Sequence, residues 1–167
     1  MEPSKLTQSV PAEAWAKLAQ TANATPEEFK AKYESLLADG PELSQVAVNV
    51  GEGQATGDCV KRTFDISLFK IVGVSGYIEF CGSSGSDWSA NVHICLEVAG
   101  SSVWCTDYTL SPQNLSVCFN PDLTIVKGQL CIGIVGPNHC FNIHGNLCYW
   151  GFGWHCADFN QTLFCFN

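Results

Sequence analysis

Ten cysteines, all beyond residue 58, constrain this chain more than any other feature. Cys59, Cys81, Cys95, Cys105, Cys118, Cys131, Cys140, Cys148, Cys156 and Cys165 make up about 9% of residues 59–167, the density of a disulfide scaffold. A bridge needs its two Cα atoms within about 7 Å. The fold must therefore bring these positions together in pairs.

Hydrophobic periodicity says how. Val92, Ile94, Leu96 and Val98 alternate with Asn91, His93, Cys95 and Glu97. Leu115, Val117 and Phe119 alternate with Ser116 and Cys118, and Leu130, Ile132 and Ile134 with Cys131 and Gly133. Each run predicts a half-buried strand. Cys95, Cys118 and Cys131 all fall opposite the aliphatic stripe, on the face where they can tie neighbouring strands. Turn signals recur at Gly100-Ser101, Gly136-Pro137, Gly145-Asn146 and Gly151-Phe152-Gly153. The fold class is mainly β, an antiparallel disulfide-rich β-sandwich or barrel of about 8–10 short strands. A small N-terminal helical hairpin precedes it. One bridge follows from turn geometry: if Gly151-Phe152-Gly153 is a three-residue hairpin loop, Trp150 opposes Trp154 and Cys148 opposes Cys156. The other eight cysteines are bridge candidates without assigned partners.

Residues 1–58 are built differently, with thirteen charged side chains and no cysteine, against eleven charges in the longer remainder. Thr25-Pro26-Glu27-Glu28 is a capping box with proline in the first turn. Phe29, Tyr33, Leu36 and Leu37 follow at helical spacing, and Asp39-Gly40-Pro41 supplies the stop. A shorter helix precedes it, with Pro11 in its first turn and Trp15, Leu18, Ala19 and Ala22 as its stripe. Val46, Val48 and Val50 predict a short strand, and Gly51, Gly53 and Gly57 a flexible joint. The organisation is thus a helical segment over 1–44, a leader or a packing arm; a linker with a short strand over 45–60; and a cysteine-rich β-domain over 61–167. A helical piece, a glycine-containing joint and a cysteine-rich remainder resemble in outline the leader segments of exported bacterial precursors. Deleting 1–44 is expected to leave a folded, oxidised β-domain.

Several chemistries are disfavoured. A net charge of −8 and a pI near 4.8 argue against nucleic acid, since phosphate binding needs clustered basic residues and Lys61-Arg62 is the only adjacent basic pair. His93, His139, His144 and His155 lie beside or near cysteines, which raises zinc, but no C-x-x-C occurs and no paired cysteine precedes an H-x₃₋₅-H. No metal, cofactor or catalytic residue is assigned. Glu79, Asp87, Glu97, Asp107, Asp122 and Asp158 are dispersed, and no cysteine stands out as a nucleophile. The chain is not expected to be an enzyme.

The C-terminal forty residues carry one formal charge, Asp158, yet include Trp150, Phe152, Trp154, Phe164 and Phe166. Such a surface is expected to meet another. The leading reading is an extracellular structural protein that self-assembles into a homo-oligomer or polymer, with QTLFCFN as an exchangeable strand. The alternatives are a small secreted lectin-like or toxin-like module with a carbohydrate or protein ligand, and a leader-bearing exported precursor. For the module, Trp88, Trp104, Trp150 and Trp154 are the aromatic contact candidates, one or two of them at the surface. The first residues lack an apolar signal region and no membrane span is expected. Disulfides therefore imply an extracellular or cell-surface location reached by a non-classical route, with a reduced cytosolic form as the other option.

Overall fold

The computed structural model describes residues 7, 9–40, 42–82 and 87–166, and for residues 42–45 the backbone only. Among the described residues two helices come first, α1 (Ala12–Thr21) and α2 (Pro26–Ala38). Thr25 Oγ1 accepts from the Glu28 amide at 3.2 Å and its hydroxyl donates to the Glu28 carboxylate at 2.9 Å, so the cap closes through two side chains. Pro11 is the residue before α1, rather than one of its first turn. After α2, Gly40 takes φ +85°, a left-handed conformation that glycine adopts at least cost. Pro41 lies outside the described residues.

Ten strands follow: β1 (Glu42–Val50), β2 (Gln54–Thr56), β3 (Cys59–Phe69), β4 (Val72–Cys81), β5 (Ser89–Val98), β6 (Ser101–Leu110), β7 (Ser116–Phe119), β8 (Val126–Val135), β9 (Cys140–Trp150) and β10 (Trp154–Cys165). They form two antiparallel sheets, one ordered β1-β3-β4-β5-β6 with β2 also on β3, the other β10-β9-β8-β7. The protein is a disulfide-rich β-sandwich. Phe64, Ile66, Ile78, Val74, Ile94 and Leu96 from the first sheet, and Leu130, Ile132, Phe141, Ile143 and Leu147 from the second, are buried in one core. Phe64 meets Phe141 at 5.4 Å and Phe69 meets Tyr149 edge-on at 4.6 Å between ring centroids.

Three local expectations give way to tertiary context. The stretch read as mostly linker is strand: β1 pairs with β3 from Glu42 to Val50, and β2 with the start of β3. Gly145-Asn146 is not a turn but mid-strand in β9. A Cβ on Gly145 would sit 2.1 Å from the Gln129 carbonyl oxygen, so glycine is there because β8 comes too close for any side chain. Leu115, the first residue of an apolar stripe in the sequence, precedes the short β7 and is 51% exposed.

The helices close one end of the sandwich. Trp15 packs edge-on to Tyr33 at 5.5 Å, and Trp15, Leu18, Phe29, Tyr33 and Leu37 belong to the same buried cluster as the sheets. Leu37 lies over Gly151 in the β9–β10 turn, where an added Cβ would come within 3.0 Å of its Cδ2. The Tyr33 hydroxyl donates to the Trp150 carbonyl at 2.6 Å. Burial pushes its pKa well above the usual tyrosine range. Since the folded state holds the proton more tightly, this contribution is complete below about pH 10, where an unfolded tyrosine titrates, and is lost as pH rises further. Tyr33→Phe should cost about 1–3 kcal/mol in a urea titration at neutral pH, because it deprives a carbonyl of its donor. The same variant should show a shallower loss of stability above about pH 10. An unchanged alkaline profile would show that the hydroxyl does not anchor the helices.

Candidate functional site

All ten cysteines are bonded, and each bridge joins residues that face each other directly on adjacent strands. Cys59 pairs with Cys81 across β3–β4, Cys95 with Cys105 across β5–β6, and Cys118 with Cys131 across β7–β8. Two more, Cys140–Cys165 and Cys148–Cys156, join β9 to β10. No bridge links the two sheets or reaches the helices. The sulfurs lie on the outer faces, opposite the core, because each shares a strand face with residues such as Asn91 and His93 or Asn142 and His144. Five such bonds are the chemistry of an oxidising environment.

The outer face of β9 and β10 is a ladder of polar side chains between two bridges, with Asp158 as its one formal charge. Across β9–β10, His144 faces Asn160, Asn142 faces Thr162 and Asn146 faces Asp158. Asn142 Nδ2 donates to Asn160 Oδ1 at 2.8 Å and to Thr162 Oγ1 at 3.2 Å, while Asn146 Nδ2 donates to Asp158 Oδ1 at 2.8 Å. Gln129 extends the same row onto β8. Cys140–Cys165 closes this ladder at one end and Cys148–Cys156 at the other.

Beyond Cys148–Cys156 the face turns aromatic. Trp150 and Trp154 pack edge-on at 5.2 Å, and Lys127 Nζ sits 4.2 Å from the Trp154 ring centroid. Phe152 at the tip of the hairpin is 69% exposed and holds φ +58°, which a bulky side chain rarely adopts. Of the four tryptophans that are contact candidates, Trp154 alone is open, at 37% exposure. Trp88 is buried and stacked on Phe80, whereas Trp104 is half-buried against Phe119 and Trp150 is half-buried under its partner.

The C-terminal aromatics are less exposed than their number suggested. Phe164 is buried, with the Arg62 guanidinium 4.5 Å from its ring centroid, and Phe166 stacks on Phe80 of the opposite sheet at 4.5 Å. The first five residues of QTLFCFN, 161–165, are thus the end of β10, sewn to β9 by Cys140–Cys165, and Asn167 lies outside the described residues. Exchanging this segment between copies would require that bond to break.

Among the described residues, three groups could hold a metal through clustered donors: His93 with Cys95 and Cys105; His144 with Cys118 and Cys131; and Glu79 with Cys59 and Cys81. Each contains both sulfurs of one bridge, which are bonded to each other in the oxidised protein. The sequence sets histidines beside cysteines without this row-by-row placement, and it does not mark Asn142 and Asn146 as members of a ladder. Their signal was present as period two: Asn142, His144 and Asn146 alternate with Phe141, Ile143 and Leu147. Among the described residues no helix is long and apolar enough to cross a membrane. Comparison with models of protein families, with curated proteins and with solved structures found no match.

Proposed function

We propose that this is a non-enzymatic structural protein of the extracellular space or cell surface, which self-assembles through its β-domain. The observation that carries the reading is the position of β10. It is the longest strand, it forms the edge of the second sheet, and among the described residues its outer backbone pairs with no strand. From Trp154 to Cys165 its only formal charge is Asp158, and it contains neither lysine nor proline. Edges are ordinarily guarded by such residues, because unpaired amides and carbonyls template pairing with another chain. Two β10 edges from separate copies can pair antiparallel, and the amide ladder beside them can continue across the joint.

Non-reducing size-exclusion chromatography with light scattering tests this. The full chain should run as oligomers or polymers, and Gln161→Lys with Thr162→Lys should weaken association at least about tenfold without altering circular dichroism. Thr162 is exposed, and a lysine at half-buried Gln161 can extend to the open edge. A monomeric parent, or a double variant that assembles like it, would discard the reading.

A second reading rests on Phe152. An exposed aromatic held at positive φ, where glycine would be cheaper, marks the β9–β10 tip as a contact point. Trp154 and Lys127, packed on each other beside the same turn, add an aromatic surface suited to a sugar ring or an apolar side chain of another protein. A monomeric protein that loses ligand capture on Phe152→Gly would favour this binding module.

A further inference from the structure

We propose that the Cys95–Cys105 bridge, once reduced, becomes a binding site for a tetrahedral, thiolate-preferring divalent ion such as zinc. Cys95, Cys105 and His93 are its ligands and Asp107 positions the histidine. The ligands come from hydrogen-bonded neighbours, β5 and β6, so they lack the sequence spacing by which zinc modules are recognised. Cys95 faces Cys105, and His93 faces Asp107 in the row beside it.

His93 Nδ1 lies 2.8 Å from Asp107 Oδ1, and its Nε2 lies 3.4 Å from Cys95 Sγ. With the proton on Nδ1 donating to the carboxylate, the Nε2 lone pair is directed at the sulfur. A carboxylate behind the imidazole is the usual outer support of a metal-bound histidine, fixing its tautomer and raising its basicity. Tyr77 faces His93 from β4 and stacks on its ring at 5.4 Å, which limits rotation. The three donor atoms lie within 4.8 Å of one another. An ion with bonds of about 2.3 Å to sulfur and about 2.1 Å to nitrogen needs donors roughly 3.6–3.8 Å apart. The nitrogen–sulfur separation is already near that value. The two sulfurs, bonded at 2.05 Å, part through side-chain torsion when the bond opens. Three protein ligands leave a fourth position for water.

The same design occurs on the other sheet. Cys131 faces His144 across β8–β9, Cys118 is bridged to Cys131, and His144 Nδ1 lies 2.9 Å from Asn142 Oδ1. The oxygen behind that histidine is neutral, so the first site is the stronger one.

The step needs a dithiol reductant, either a small molecule or a protein dithiol. Its thiolate attacks the exposed Cys105 Sγ, and Cys95 leaves as a thiolate that takes a proton from solvent. The second thiol of the reductant resolves the mixed disulfide, frees Cys105 as a thiol and leaves the reductant as its own disulfide, two electrons having passed to the bridge. The ion then replaces the two thiol protons, which go to solvent.

The test is partial reduction of the full chain under native conditions, removal of the reductant, and thiol alkylation with and without zinc, read by peptide mapping. Zinc should slow labelling of Cys95 and Cys105 at least about tenfold, His93→Ala should abolish that protection, and Asp107→Ala should weaken zinc affinity about 10–100-fold. In a Cys118→Ser, Cys131→Ser variant, cobalt(II) should give the visible absorption of a tetrahedral thiolate site at one ion per chain. Equal labelling with and without zinc overturns the site, as does protection that survives His93→Ala or a Cys95–Cys105 bond that opens only after the chain unfolds. Unchanged affinity in Asp107→Ala overturns the role given to the carboxylate.

Discussion

Complete reduction of the five bridges should unfold the sandwich at room temperature or lower its melting temperature by more than about 20 °C, because every sheet is sewn internally. The loops span 8, 10, 13, 22 and 25 residues. Loop-closure entropy assigns each about 2.5–3.5 kcal/mol, and even a substantially sub-additive total rivals the whole stability of an ordinary domain. None of the bonds joins sheet to sheet, so the interface between sheets depends on non-covalent packing, chiefly the shared apolar core. The core is assembled from strands whose register the bridges hold, and releasing them also frees alternative registers. Thermal melts followed by circular dichroism, with and without reductant, measure the effect. A melting temperature that does not move would mean that strand pairing and the core suffice, and would return the reduced cytosolic form to consideration.

Removing residues 1–40 should leave all five bridges in place but lower the melting temperature by about 10 °C or more. Sequence composition suggested a separable arm, and the bridges do lie wholly outside it. Packing says otherwise about stability: Leu37 rests on the β9–β10 turn, Tyr33 is bonded to Trp150, and the apolar end of the sandwich is covered by helices. Uncovering even two or three side chains there costs about 4–6 kcal/mol at the usual value of burial. The cut belongs at 40 because β1 starts at Glu42, and ending the deletion at 44 would take the first residues of a paired strand. Calorimetry of the truncated chain, with peptide mapping of its bridges, reads both halves of this expectation. A truncation that melts like the parent would make the hairpin a passenger.

Much of the architecture was legible because strand patterning is local. The alternation at Val92–Val98 or Leu130–Ile134 needs no partner to be seen, and a sulfur opposite the aliphatic stripe must lie on the outer face. Cys148–Cys156 could be paired because Gly151 and Gly153 fix the register of a short loop. Cys140–Cys165 could not, since the register between them shifts at Thr162–Phe164 and one irregular residue redirects every side chain beyond it. The candidate sites were less legible for the same reason. His93 and Cys95 are two apart in sequence, but Cys105 and Asp107 reach them only through the pairing of β5 with β6.

Sequence alone determined the β class, the segregation of helices from cysteines, the capping of α2 and the scarcity of charge after residue 127, since each depends on neighbours along the chain. Tertiary structure decided the rest. It made β10 the edge, turned Phe164 and Phe166 inward while leaving Phe152 and Trp154 outside, put Tyr33 beneath the Trp150 carbonyl, and excluded a side chain at Gly145. These outcomes depend on distances between residues far apart in the chain, and those distances exist only after two sheets close on a common core.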